Sequence, residues 1–424
     1  MANNNQYGRT ERIFARWLTN YPWIKQNLKK IYQFISWIFH KKAYKFRTDY
    51  SFQVIKDCNN ESFFGYYDKS PVSCDGKYIL FYSTSHSTKK KPDNNNEIFV
   101  ILQDFNTKNI LLKILTNVYN WQQGCRLHWL TEDLFIFNDF NKEQGKYVSC
   151  VWSAASLCKV KSFNCPVQDS YKANYFLSIN YRRLMSLCPD YGYRNLPELN
   201  NEELKNKDDG IWKVDYETGE SFLLINLNDI CLFKSAINIM NGIHSVNHIL
   251  ISPSGEKFIF IDRYYINKKR FDRLFIADSE TGKLKLIADN EMVSHCFWVD
   301  DVSIIAFLRN SAGRDAYNLI NTDTGCYSMI ANERLNSFND GHPHIFGDWF
   351  ITDTYPDKSR MQHLILVNWK TGEIREIGEF FHGFKYSGET RCDLHPRFSV
   401  DGKSVFFDSV FSGKRYFYKM DLNI

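Results

Sequence analysis

The chain lacks the short signatures that mark several common enzyme classes. It has no G-x-S-x-G elbow, which argues against a serine hydrolase. It has no P-loop and no G-x-G-x-x-G fingerprint, so a nucleotide phosphate finds no recognisable cradle. Eleven cysteines are scattered from Cys58 to Cys392 without one C-x-x-C pair or a zinc-knuckle spacing. No basic segment followed by an unbroken apolar run opens the chain, so no secretory leader is expected. Unpaired thiols and no leader predict a reducing compartment, the cytoplasm. A net charge of +5 over 424 residues is small. Without a concentrated basic stripe it does not point to nucleic acid.

What is present is apolar and aromatic: 44% hydrophobic and 16% Phe, Trp and Tyr. That suffices for a large packed core and excludes global disorder. Two units are expected: residues 1–49, basic and helical, and residues 50–424. In residues 21–47, Trp23, Ile24, Leu28, Ile31, Ile35 and Ile38 recur at helical spacing among lysines. Lysines 25, 29 and 30 leave only Ile31–Phe39 as an unbroken, mostly apolar run, far short of the roughly 20 residues a bilayer span needs. A basic amphipathic helix of this kind can lie on an anionic membrane surface. It can equally pack on the body of the protein or mediate self-association.

From residue 60 the chain returns repeatedly to one pattern: strand, turn, strand, variable loop, then a third strand ending in Asp/Asn-x-x-Thr-Gly. Clear first halves are SPVSCDGKYILFYS (70–83), HILISPSGEKFIFIDR (248–263) and HPRFSVDGKSVFFDS (395–409). Weaker copies are WLTEDLFIFND (129–139), SINYRRLMSL (178–187), WVDDVSIIAFLR (298–309) and IFGDWFITD (345–353). Gly219, Gly282, Gly325 and Gly372 close the third-strand turns, 63, 43 and 47 residues apart. Seven such units predict an all-β, seven-bladed β-propeller preceded by the helix. The last unit stops after its third strand, and YSFQVIKD (50–57) looks like a strand without a blade. It is expected to close the ring and remove an exposed edge.

The repeat also serves as a ruler. The residue opening each unit reads Lys69, Arg126, Asn174, His248, His295, His342 and His395 in order. In a propeller these side chains ring one mouth of the channel. His344 follows two residues after His342, and Arg397 holds the matching place in the last unit. Residues after the second strands belong to the same mouth: Arg263, Tyr264, Arg309, Tyr355 and Lys414. Converging imidazoles make a divalent metal site. His342 and His344 are candidate ligands with His295, and Asn339 and Asp340 are nearby oxygen donors. Arginines at such a mouth would select carboxylates. A metal with arginines can neutralise the carboxylate of a uronic acid and acidify its C5 proton. A base such as His248 could then remove that proton.

A seven-bladed propeller with histidines on successive channel strands and a Gln-x-x-His-x-His motif resembles the oligogalacturonate lyase family. Asn339-Asp340-Gly341-His342-Pro343-His344 matches that motif with Asn in place of Gln. The resemblance implies a manganese ion held by His295, His342, His344 and Asn339, with His248, or else His244, as base. It implies a substrate arginine, for which Arg126, Arg182 and Arg263 are the candidates, and Arg126 is expected to act with His248 in catalysis. The repeat positions at the mouth make Lys69, Arg263, Arg309, Tyr355, His395 and Arg397 the expected substrate contacts. The substrate implied is an acidic, uronic-acid-containing glycan cleaved by β-elimination. GYYDKSPVSCDG (65–76) and NWQQGCRLHW (120–129) also resemble propellers encoded with bacterial surface-polysaccharide enzymes. The alternatives are a non-catalytic scaffold or glycan-binding propeller at a membrane face, and a glycosyltransferase-like role. Glu389 and Asp393, ahead of His395, could also form the carboxylate pair of a glycoside hydrolase.

Overall fold

The structure, a computed structural model, describes residues 22–234, 237–267, 269–330 and 333–422. It is a seven-bladed β-propeller preceded by a helix, α1 (Pro22–His40). Each blade is an antiparallel sheet whose first strand lines the channel. The blades begin with Glu61–Phe63, His128–Trp129, Asp169–Tyr171, Ile243–Ile251, Val293–Trp298, His344–Phe346 and Arg397–Phe398.

Burial follows position within the blade. In blade 1 the second strand, Tyr78–Thr84, is buried along almost its whole length, whereas the fourth, Ile110–Thr116, is mostly not. Inner strands are covered on both faces by neighbouring blades, so they read as unbroken apolar runs rather than alternating ones. The Asp/Asn-x-x-Thr-Gly turns join third and fourth strands as expected. In each, the side chain of the leading residue accepts the Thr N–H, at 2.7 Å for Asp215 and Thr218 and 2.9 Å for Asn368 and Thr371.

The ring closes through the N-terminal side of the chain. Strand β1 (Phe46–Arg47) adds a fifth strand to blade 6, and β2 (Phe52–Ile55) supplies the fourth strand of blade 7, pairing Phe52 with Met420 and Ile55 with Phe417. A second device clasps blade to blade. Asp408, ending the second strand of blade 7, accepts the N–H groups of Phe64 and Gly65 at 3.0 and 2.9 Å. Asn138 in blade 2 accepts from Val167 N–H at 2.6 Å, and Asp353 in blade 6 accepts from His395 N–H at 3.0 Å.

Blade 3 departs from the expected register. Its first two strands are Asp169–Tyr171 and Tyr175–Ile179, so Asn174 lies on the exposed turn between them, at the mouth opposite the histidines. Gln168, fully buried, sits just before the first strand. Residues expected as a strand form helix α2 (Tyr181–Leu187), whose N-cap Asn180 accepts from Arg182 and Arg183 N–H. A capped turn with Tyr181 and Leu184 facing inward is helical chemistry.

Candidate functional site

One mouth of the channel gathers four histidines from four successive blades. Ring centroids are 5.8 Å apart for His248 and His295, 3.9 Å for His295 and His342, and 4.3 Å for His342 and His395. All four are buried. Tyr66, from the segment leading out of the first strand of blade 1, fills the arc. Its ring lies within 6.4 Å of every one of them, and its hydroxyl is 2.6 Å from His248 Nδ1.

The local backbone is built for this approach. His248 and His395 adopt positive φ, 53° and 44°, as does Arg126 at 59°. Left-handed non-glycine residues cost on the order of 1–3 kcal/mol each and persist where the surroundings over-determine them. Gly341 has a different function: a Cβ there would stand 1.9 Å from the Asp353 carbonyl oxygen. Only glycine lets the chain pass so close and deliver His342.

Asp353 organises two of the rings. It accepts the His342 N–H and shares a 2.8 Å contact with His342 Nδ1, and its other oxygen takes the His395 N–H. Burial pushes its carboxyl up to about 7 against the pull of those donors. Burial, reinforced by nearby positive charge, holds His248, His342 and His395 well below the ordinary imidazole value. They are therefore neutral at pH 7, the form that ligates metals. The Nε2 atoms of His342 and His395 are buried without a hydrogen-bond partner. Asp393 completes the set: one donor atom from each of His342, Asp393 and His395 lies within 4.8 Å of the others. His295 leans on Asp340 at 3.3 Å, and Ser294 donates to the same carboxylate at 2.6 Å.

His344 and Asn339 stand apart from this group. The His344 ring packs on Phe297 at 4.5 Å and Phe398 at 6.0 Å, and its Nδ1 accepts the Phe398 N–H at 3.3 Å. Burial, with Arg397 nearby, pushes it down to about 3. The Asn339 amide donates to the Ser337 carbonyl within its own loop. His244 is committed on both ring nitrogens, to Asp262 at 2.9 Å and the Ile239 carbonyl at 2.8 Å.

Six of the cations singled out in the sequence meet a carboxylate. Arg126 grips Asp68 with two bonds of 3.1 and 2.8 Å, and Lys69 pairs with Asp169. Arg263 pairs with Asp272 and Arg309 with Asp315, at 2.7 and 2.8 Å, and Arg182 with Glu203 at 3.0 Å. Arg397 is fully buried, donates to the carbonyls of His395 and Gly65, and sits 3.6 Å from Asp408.

Arg391 was not anticipated. It lies over the Tyr355 ring at 5.3 Å and holds Asp393 at 2.8 Å. Its side chain keeps 25% exposure, unlike the sealed Arg126 and Arg397. Burial opposes its charge, but Asp393 and the facing tyrosines keep the guanidinium charged. Tyr355 is 6.2 Å from His342, and Tyr191 packs edge-on to His248 at 5.0 Å. The GYYD run carrying Tyr66 was the available signal. Arg391 lies in a loop with no repeat position and gave none. A cavity of about 480 Å³ also opens on blade 3, but its Arg183 and Asp209 are already bonded at 2.7 Å.

No protein-family profile matches the chain, and no curated protein matches it either. Solved structures do share its fold. An oligogalacturonate lyase in complex with manganese superposes with TM-score 0.59 at 14% identity, over 90% of this chain and 98% of that one. An oligogalacturonate lyase from Vibrio parahaemolyticus gives TM-score 0.56, also at 14% identity, over 89% and 98%. The β-propeller domain of the Trilobed protease from Pyrococcus furiosus gives 0.50 at 12% identity, over 85% and 96%. The same ring thus serves a lyase and a protease.

Proposed function

We propose that this mouth holds a divalent cation, manganese by analogy with the similar lyase structure, and cleaves an acidic, uronic-acid-containing glycan by β-elimination. The observation that carries the reading is the pair of neutral, unpartnered imidazole nitrogens on His342 and His395 beside Asp393. Two nitrogens and one carboxylate are a donor set suited to a first-row divalent ion that keeps open positions. In this reading the ligands are His342, His395 and Asp393, rather than the His-x-His pair. Once bound, the ion would neutralise the substrate carboxylate and acidify the C5 proton.

The chain's own residues supply the rest. Arg391, partly exposed and close to Asp393 and Tyr355, receives the substrate carboxylate in this reading. Neutral His248 takes the proton from C5. The electron pair becomes the C4–C5 double bond, and the C4–oxygen bond breaks. The Tyr66 phenol, held protonated by burial, gives its proton to the leaving oxygen and regains one from His248 across their hydrogen bond. Exclusion of water by Tyr66, Tyr67, Tyr191 and Tyr355 strengthens each of these interactions.

Eleven free cysteines support a reducing, cytoplasmic setting such as intracellular surface-polysaccharide metabolism. No described helix is long and apolar enough to cross a membrane. The test is incubation of the manganese-loaded protein with uronic-acid oligosaccharides, read by the ultraviolet absorbance of the conjugated unsaturated product. Product formation that disappears in His248→Ala supports the proposal. Stoichiometric metal without product from any uronate would reduce the site to a binding site.

A further inference from the structure

Helix α1 is amphipathic the wrong way round. Its inward face is largely polar: Ser36 is 7% exposed, with Gln33, Trp37 and His40 partly buried beside it. Several of its apolar residues face water instead. Leu28, Ile31, Ile35, Ile38 and Phe39 recur at three- and four-residue spacing and form one stripe. All are exposed, Phe39 by 79%. An apolar stripe of this length on the outside of a protein marks a surface for an apolar partner.

The helix is not free to roll the stripe inward. Trp37 packs against Phe384 and Phe381, with centroids 5.6 and 6.5 Å away, and Phe34 meets Phe384 at 5.8 Å. Just beyond, β1 is hydrogen-bonded to the edge of blade 6, and the Tyr44 hydroxyl donates to Glu379 at 2.6 Å.

Charge identifies the partner. Residues 1–48 contain ten Lys and Arg against the single acid Glu11, a net +9. The chain totals +5, so residues 49–424 carry a net −4. The chain's surplus of positive charge is thus confined to the segment that bears the exposed stripe. Exposed Lys30, Lys41 and Lys42 lie on or next to the helix. A second copy of the chain would bring the same lysine-rich helix to the same place and be repelled. An anionic bilayer offers both an apolar interior for the stripe and phosphates for the lysines.

Topology then fixes which way the propeller faces. The first strand of each blade starts at the histidine mouth, so the fourth strand ends there. Phe381 ends the fourth strand of blade 6, and Phe384 lies in the loop that continues to Arg391, Asp393 and His395. We infer that α1 seats the propeller on an anionic membrane surface, with the histidine mouth on the membrane side. This holds whatever chemistry the site performs.

The experiment is co-sedimentation of the full, untagged chain with vesicles of phosphatidylcholine alone or with about a third phosphatidylglycerol. Binding is expected to the anionic vesicles and to fall steeply with salt. Ile31→Asp/Ile35→Asp/Phe39→Asp and, separately, Lys30→Glu/Lys41→Glu/Lys42→Glu are each expected to weaken it by about tenfold or more, with an unchanged thermal midpoint. These positions are exposed, and the lysine variant stands as a second test should the first not fold. A wild-type chain that stays in the supernatant with both vesicles overturns the inference. So does a wild-type dimer in light scattering that the first triple variant renders monomeric, because the stripe then belongs to a second copy.

Discussion

His342 and His395 come from neighbouring blades, yet their rings meet edge to face at 4.3 Å, and neither Nε2 has a hydrogen-bond partner. Unprotonated, buried and unpaired, these nitrogens are poised to ligate. The double variant His342→Ala/His395→Ala is expected to lose manganese binding in titration calorimetry and metal content in elemental analysis. His344→Ala should keep the metal and cost about 1–3 kcal/mol in stability, because its ring fills space between Phe297 and Phe398. The reverse pattern would move the centre to His344.

Tyr66→Phe removes one hydroxyl and keeps the ring that packs among the four histidines. If the phenol relays a proton, turnover should fall by about 10²–10⁴ while metal content and thermal midpoint hold. An unchanged rate would leave Tyr66 a packing residue.

The buried pair of Arg126 and Asp68 can be tested without any substrate. Both side chains are within 2% of full burial. Removing one partner leaves an uncompensated charge, so Asp68→Asn should cost about 3–5 kcal/mol in urea unfolding. Arg126→Met/Asp68→Leu should recover much of that loss. A cost below about 1 kcal/mol for the single change would show that the pair contributes no more than a surface one.

His363 gives a pH signature outside the site. Burial works against its charge, but the Asp357 carboxylate 3.5 Å away and the hydrogen bond to Glu376 outweigh it and raise its value from 6.5 to about 9. Both acids are lowered in turn. A raised folded-state value means that protonation favours the fold. The contribution is complete below pH 6.5 and fades as the pH climbs through 9. Thermal midpoints of wild type should therefore fall more steeply across that window than those of His363→Gln.

Ring closure predicts a sharp boundary for truncation. A chain beginning at residue 41 keeps both β1 and β2 and should melt cooperatively. A chain beginning at residue 57 loses both, bares the edge of Tyr416–Asp421, and should melt lower and aggregate. Equal melting of the two would make the β2 pairing dispensable.

Much of this molecule could be read in advance because each blade repeats the same local physics. Glycine turns and apolar strand pairs gave the blade count, and the missing fourth strand of the last unit located β2. The histidine ring was legible for the same reason: His248, His295, His342 and His395 hold one repeat position. Blade 3 misled because its first strand, Asp169–Tyr171, has no apolar run to count, while Tyr181 and Leu184 read as strand until the Asn180 cap is noticed. The His342-x-His344 pair misled because the channel strand begins only at His344, so the two rings do not share a strand face. Asp353, Asp408 and Asn138 were visible as a polar residue in the later half of a second strand. Their use as clasps depends on the neighbouring blade, which no single repeat contains.

The pairing of β2 with the last blade also has a consequence in time. Residues 52–55 are synthesised before any of the blades, and their partner, Tyr416–Asp421, follows only after the other strands of all seven. Six blades can stack while the first strand waits alone, a period in which its edge is open to wrong partners. Once the two ends meet, no blade can peel away without opening the ring. Persistence of the finished molecule is then governed by the rate of that opening rather than by the strength of any one blade.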